Sequence, residues 1–200
     1  MEEPSVELER WIASAEDYDP LSWERLPELE LYMDQVITFM NRQLEPIVTD
    51  TEKVLTPSMI NNYVKDGVLP SPVKKRYSKE HLAMLMGICS LKSVLSLPQI
   101  NTLLSEMTKD GKISEQYASF TGIYSNSIRD VAGRLRTIPC EDKAVLYQLA
   151  LQLALEANAR HIAASRILSS LSDVDEPPLE KEDAPEKPEK EKKEKKSKKG

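Results

Sequence analysis

The sequence predicts an all-α fold followed by a tail that has no core. Apolar side chains recur at intervals of three and four residues over most of the chain up to Leu171, which is the helical period. Prolines, glycines and Ser/Thr caps divide this pattern into separate segments. From Asp173 onward Pro, Glu and Lys dominate, so residues 173–200 are expected to form a disordered Lys/Glu-rich tail.

Composition and charge favour a cytoplasmic protein. The net charge is −6, the first 27 residues hold eight acids, and no apolar run reaches the roughly 20 residues that a membrane helix needs. Cys89 and Cys140 lie in separate predicted segments, as expected of free thiols in a reducing compartment. We therefore expect no secretory signal, no membrane contact and a cytoplasmic location.

The sequence does not favour catalysis. His81 and His161 each lack a second metal-ligating side chain at a suitable spacing. We recognise no Ser–His–Asp set, glycine-rich phosphate loop or pair of catalytic carboxylates. We therefore expect no enzyme, no metal and no cofactor.

The N-terminal part is divided into an arm and a first helix. Residues 1–26 are expected to form a loosely ordered acidic arm, in which Trp11 and Trp23 either dock on the body or pack only locally. A first helix is predicted to begin near Pro27 and to end at Pro46. Its apolar positions follow the helical period and are Leu29, Tyr32, Met33, Val36, Ile37, Met40 and Leu44.

The second predicted helix has a clear start and a clear end. Thr56 is an N-cap residue, Pro57 suits the first helical position, and Gly67 suits the residue after the helix. Met59, Ile60, Tyr63 and Val64 form its buried stripe. The opposite face consists of short polar or basic side chains, namely Ser58, Asn61, Asn62 and Lys65.

A connector with two prolines follows over residues 68–77, and its basic end is expected to form a short hairpin or an extended wing. Ser78 and Ser96 are predicted N-caps of a third and a fourth helix, and Asp110–Gly111 ends the fourth. Residues 27–110 are therefore predicted to form one helical domain.

Positive charge is concentrated in this domain. Six basic side chains and one acid lie between Lys53 and Lys79, although the chain as a whole is acidic. Such a patch attracts phosphate, and asparagine amides are suited to adenine edges. A plain solvated face is the alternative, and Tyr77 is either a wing anchor or a core residue. The predicted DNA-binding residues are Ser58, Asn61, Asn62, Lys65, Lys74, Lys75, Arg76, Tyr77 and Lys79.

Residues 111–172 predict a long antiparallel helical hairpin that turns at Pro139. The first of its helices carries a heptad-like apolar stripe, and the second, from about Glu141 to Leu171, is rich in Ala and Leu. An exposed seam would join two copies of the chain, whereas core within one chain is the alternative. The predicted dimerisation residues are Tyr117, Phe120, Tyr124, Ile128, Val131 and Leu135.

The run from Leu55 to Lys65, the basic connector and the segment Tyr77–Leu82 together resemble the bacterial domain of unknown function 1836 family, over roughly residues 31–107. That family in turn resembles the N-terminal module of MerR-type regulators, in which a helix ending Tyr-x-x-x-Gly-Leu-Leu precedes a basic wing and a helix that begins Tyr-Ser. Tyr63, Gly67–Leu69 and Tyr77–Ser78 stand in the matching places. The resemblance implies a winged helix-turn-helix and sequence-dependent DNA binding as a dimer.

The sequence therefore predicts a DNA-binding transcriptional regulator whose partners are double-stranded DNA and a second copy of the chain. The helical hairpin could also respond to an unknown small-molecule or protein effector. The alternative is a non-catalytic protein–protein interaction adaptor that uses a degenerate winged-helix surface. For the lysine-rich tail, contact with DNA and plain solvation are both open.

Overall fold

The structure, a computed structural model, describes residues 4–45, 55–138 and 142–172. The predicted tail, Lys53 and Cys140 lie outside these residues. Seven α-helices and one two-stranded sheet are formed in the described part of the chain: α1 Pro4–Glu16, β1 Leu31–Tyr32, α2 Met33–Leu44, α3 Pro57–Lys65, β2 Arg76–Tyr77, α4 Lys79–Leu91, α5 Leu97–Thr108, α6 Ile113–Arg136 and α7 Lys143–Ser172. The fold is mostly helical, as predicted.

The core is built around α4. All eight residues of 81–88 are buried, because α2, β2, α5 and α6 each contact this helix. A helix that is apolar on every side is stable only when it is covered on every side. Gly87 lets α5 approach closely, since a Cβ atom there would lie 3.0 Å from Leu104 Cδ2.

The small sheet joins the segment before α2 to the segment before α4. β1 and β2 pair antiparallel, with Leu31 opposite Tyr77 and Tyr32 opposite Arg76. The first helix was predicted to begin near Pro27, but α2 begins six residues later, at Met33, because residues 31–32 extend to pair with β2. As a result Leu29, which is 81% exposed, and Tyr32, which is 48% exposed, precede the helix to whose apolar positions they were assigned.

Residues 4–16 of the predicted arm form the helix α1, where a loosely ordered segment was expected. Helix α1 packs on α6 in the most extensive helix–helix contact in the described residues. Ile12 and Ala15 are fully buried against Ala132 and Leu135, and Trp11 packs beside them. Arg136 also forms an ion pair with Glu16. Three acids of the arm, Glu7, Glu9 and Glu16, therefore lie on a helix that belongs to the fold.

Contacts within the chain occupy the predicted dimer seam on α6. Tyr117 is fully buried in the main core and Phe120 packs against it, and the Tyr124 ring meets Tyr18 edge to face at 5.8 Å. The other three, Ile128, Val131 and Leu135, pack in the cluster that α1 covers. The placement of all six favours the alternative interpretation, core within one chain.

Helix α7 contacts the last turns of α6 and also α5. Arg134 at the end of α6 holds Glu156 of α7 by two hydrogen bonds of 2.8 and 2.9 Å. These bonds lower the pKa of Glu156 to about 2. Leu149 and Leu153 face the same cluster, so one side of α7 is fixed to the body.

Candidate nucleic-acid interface

The candidate interface begins with α3, which is fixed at both ends. Thr56 Oγ1 accepts a hydrogen bond from the Met59 N–H at 3.3 Å, and Pro57 occupies the first turn. At the other end Gly67 has a φ of 72°, and the Val68 N–H donates to the Tyr63 carbonyl at 2.9 Å. This is a Schellman termination. The predicted helix limits are thereby confirmed.

The two faces of α3 differ sharply. Ile60 and Tyr63 are buried in the main core, and burial raises the pKa of Tyr63 to about 12. The opposite side chains are all exposed: Ser58, Asn61, Asn62 and Lys65. Asp66, the residue after the helix, is also exposed and places an acid beside this face. The helix therefore presents amides, a hydroxyl and an ammonium group to the outside.

The basic connector forms a tight hairpin. The Arg76 N–H donates to the Val73 carbonyl at 2.9 Å, and the two residues form an antiparallel bridge. Lys74 and Lys75 stand at the tip with φ angles of 51° and 64°. Positive φ at both central positions is the mark of a type I′ turn, which normally contains Asn-Gly. For lysine this left-handed backbone conformation costs about 1 kcal/mol or more per residue. We call residues 73–76 the wing.

Three wing cations are available to an anion. Lys74, Lys75 and Arg76 are exposed, and none of them forms an ion pair with an acid among the residues that the structure describes. The wing is also close to the end of α3 along the chain. Leu69 is buried beside Tyr63, and Val73 is four residues further, a span of at most about 14 Å.

Lys79 and Tyr77 do not belong to this exposed set, which corrects two predicted site residues. The Lys79 side chain is only 10% exposed, forms an ion pair with Glu28, and lies over the Trp23 ring at 5.0 Å. Tyr77 is 2% exposed and donates its hydroxyl to Met33 Sδ at 3.8 Å. Its alternative interpretation, core packing, is therefore the right one.

His81 supports the base of the wing. Its Nδ1 accepts the Ser78 N–H at 3.1 Å, which caps α4, and its ring meets Tyr77 edge to face at 5.5 Å. Burial lowers the pKa of His81, against smaller opposing effects of the Pro70 and Ser71 carbonyls and of Glu80 and Glu30. These contacts join the wing to the start of α4.

Sequence reasoning missed Tyr32 and Val73 as surface residues of this region. The Arg76 guanidinium lies over the Tyr32 ring, 5.4 Å from its centroid, and Val73 is 64% exposed. The sequence did hold a signal, because Val73 is an apolar residue between Pro72 and the lysine pair. Exposed turns are usually built from Gly, Pro, Asn, Asp and Ser.

Three further properties can be read from the described residues, namely metal binding, the reactivity of Cys89 and membrane crossing. No group of three or more His, Cys, Asp or Glu side chains there could hold a metal ion. Burial raises the pKa of the Cys89 thiol to about 12, so this sulfur is protonated and unreactive at neutral pH. None of the described helices combines the length and the apolar character that a membrane crossing requires.

Comparison with known families places this region in one of them. Residues 21–126 match the family model described as Domain of unknown function (DUF1836). The chain belongs to this family. The DUF1836 match extends from the segment before β1 into α6, and so includes α3, the wing and the whole of α4. Helix α7 lies outside the DUF1836 match. No curated protein and no solved structure showed a significant match to the chain.

Proposed function

We propose that this chain is a sequence-specific DNA-binding transcriptional regulator that acts as a dimer, with a MerR-like winged helix-turn-helix. The observation that carries the proposal is the exposed polar face of α3. A capped helix of nine residues buries Ile60 and Tyr63, packs its other apolar side chains partly against the core, and leaves Asn61, Asn62 and Lys65 outside. The major groove admits a helix of this kind, and side-chain amides pair with adenine edges there.

The wing supplies the second element of the proposal. Lys74, Lys75 and Arg76 are positive charges without acidic partners among the described residues, and phosphate is the anion that such a cluster attracts. Contacts to phosphate hold a protein in register, while contacts to base edges read the sequence. We assign the first task to the wing and the second to α3.

The order of elements also supports a winged helix-turn-helix. A short strand, two helices, a hairpin and a further helix follow each other as β1, α2, α3, the wing and α4. Three features differ from the MerR-type pattern: Asn61 stands where an arginine is usual, the wing is shorter, and a long segment separates α2 from α3. The base contacts we propose therefore rely on amides.

A second copy of the chain is the proposed partner of α7. This helix is about 45 Å long and carries a second apolar stripe, turned away from the side that holds Leu149 and Leu153. The stripe has members four, four and seven residues apart, which places them on one side of the helix, where they suit pairing between two like helices. Its members are more than half exposed: Tyr147, Leu151, Leu155 and Ile162.

Selection from a random pool of duplex DNA tests the proposal. We expect the wild type to enrich a two-part site whose halves lie about one helical turn or a multiple apart. The variant Asn61→Ala with Asn62→Ala should bind with a relaxed preference, because it keeps the wing but loses the amides. If the wild type enriches no sequence, the proposal is wrong.

The second candidate is the non-catalytic adaptor. The exposed apolar stripe on α7 favours it, since such a surface also suits a different protein. An adaptor would show no enrichment of DNA in the selection.

A further inference from the structure

The outward side of the small sheet forms a second surface beside the wing tip. Residues directly opposite each other in an antiparallel pair place their side chains on the same side. Tyr32 is opposite Arg76, and Arg76 is opposite Val73, so these three side chains share one side. The other side is the core side, where Tyr77 is buried and Leu31 packs against it.

This outward side is unusual for a solvent surface. Tyr32 and Val73 are 48% and 64% exposed, and Leu29, just before β1, is 81% exposed. Arg76 stands between Tyr32 and Val73 in the strand pairing, and its guanidinium lies over the Tyr32 ring. The Tyr32 backbone is itself fixed, because its N–H donates to Gln35 Oε1 at 2.9 Å. Arg76 is thus positioned from α2 through Tyr32.

We infer that this side of the wing enters the minor groove of duplex DNA, and that Tyr32 positions Arg76 there. The inference rests on the proposed DNA-binding function and goes beyond it. Three cations in the wing, without acidic partners among the described residues, attract a polyanion. Apolar side chains around an arginine suit the walls of the minor groove, which is about 6 Å wide and attracts arginine most strongly where A·T tracts narrow it.

An acidic protein surface is the competing occupant, and the experiment separates the two. The site enriched by the wild type is synthesised with A·T, G·C or I·C pairs flanking each half-site. An I·C pair resembles A·T in the minor groove and G·C in the major groove. We expect the wild type to bind A·T and I·C flanks alike and to lose about fivefold in affinity with G·C flanks.

Three variants test whether Tyr32 and Arg76 are responsible for the discrimination between flanking base pairs. Tyr32→Leu and Arg76→Lys should bind the three flanks equally while keeping the preference for the central sequence. Tyr32→Phe should restore the wild-type pattern, because it retains the ring under the guanidinium. A general loss of folding would not remove the flank preference alone.

The possible failures are distinguishable. If a sequence is enriched but the wild type ignores the flanks, or treats I·C as G·C, the minor-groove inference is wrong and the proposed function stands. A flank preference that Tyr32→Leu retains would overturn the role of Tyr32. If no DNA is enriched at all, both the proposed function and this inference fall, and a protein partner covers the surface.

Discussion

The Lys79 ammonium lies over the Trp23 ring, 5.0 Å from the ring centroid, and forms an ion pair with Glu28. A lysine that the charge pattern assigns to DNA is therefore engaged inside the protein. Trp23 and Glu28 precede Lys79 by more than 50 residues, so the contact ties the segment before β1 to the start of α4.

This contact predicts the effect of Lys79→Met. The variant keeps the apolar stem but loses the charge, so we expect the free energy of unfolding to fall by about 1 kcal/mol. Urea unfolding followed by tryptophan fluorescence measures it. The salt dependence of DNA binding should not change. If the salt slope fell, Lys79 would have to reach DNA after all.

Gly67 predicts a second change in stability. Its φ of 72° is a left-handed conformation, and nothing lies within 4 Å of the position where a Cβ atom would be. The cost of a side chain is therefore one of backbone conformation. Gly67→Ala should lower the free energy of unfolding by about 1 kcal/mol, and Gly67→Asn by less. Equal stability of Ala and Gly at this position would exclude the Schellman end of α3.

His81 predicts a dependence of stability on pH. Burial lowers its pKa in the folded state, so the unfolded chain takes up a proton first as the pH falls below about 6.5. This contribution to stability is complete above that pH and is lost from there down to the folded pKa. The carboxylate of Glu156, with a pKa of about 2, loses its contribution only in a lower range, below about 4.5.

His81→Gln tests this assignment, because a glutamine carbonyl can accept the Ser78 N–H in its place. The variant should retain most of its stability at neutral pH and lose the decline just below pH 6.5. Urea unfolding over a series of pH values measures both. If the variant declined as the wild type does, another group would be responsible.

Helix α7 predicts the site of self-association. Leu155→Lys places a charge in the centre of the exposed stripe and should weaken the dimer by more than about tenfold. Ala163→Lys is the matched control, since it adds the same charge to an exposed position of α7 away from the stripe. Sedimentation at several concentrations compares the two. A wild type that stays monomeric at high concentration would remove the dimer from the proposal.

The elements with strong local signals could be predicted from the sequence. Thr56, Pro57 and Gly67 set the limits of α3, and the box of Ser96 and Gln99, whose side chain accepts the Ser96 N–H at 3.0 Å, sets the start of α5. These signals act within one helix turn, so they are visible in a short window of sequence.

What could not be predicted depends on partners distant in sequence. The apolar stripe of α1 is short, and only the surface of α6 about 120 residues later explains why Ile12 is buried. In the same way β1 exists because Tyr77 lies opposite Leu31. The stripe on α6 was recognised correctly as apolar, but a periodic pattern cannot tell a cover within the chain from a second copy.

The salt dependence of DNA binding tests whether the wing contacts DNA phosphates. The variant Lys74→Asn with Lys75→Gly removes both wing-tip charges and places the preferred residues in the type I′ turn, so the fold is kept or stabilised. Affinity for the selected site is measured against salt concentration. We expect the variant to bind more weakly. The slope of log affinity against log salt concentration should be lower in magnitude by about 1.8, because two fewer phosphates are neutralised. An unchanged affinity and slope would contradict the assignment of the wing to DNA.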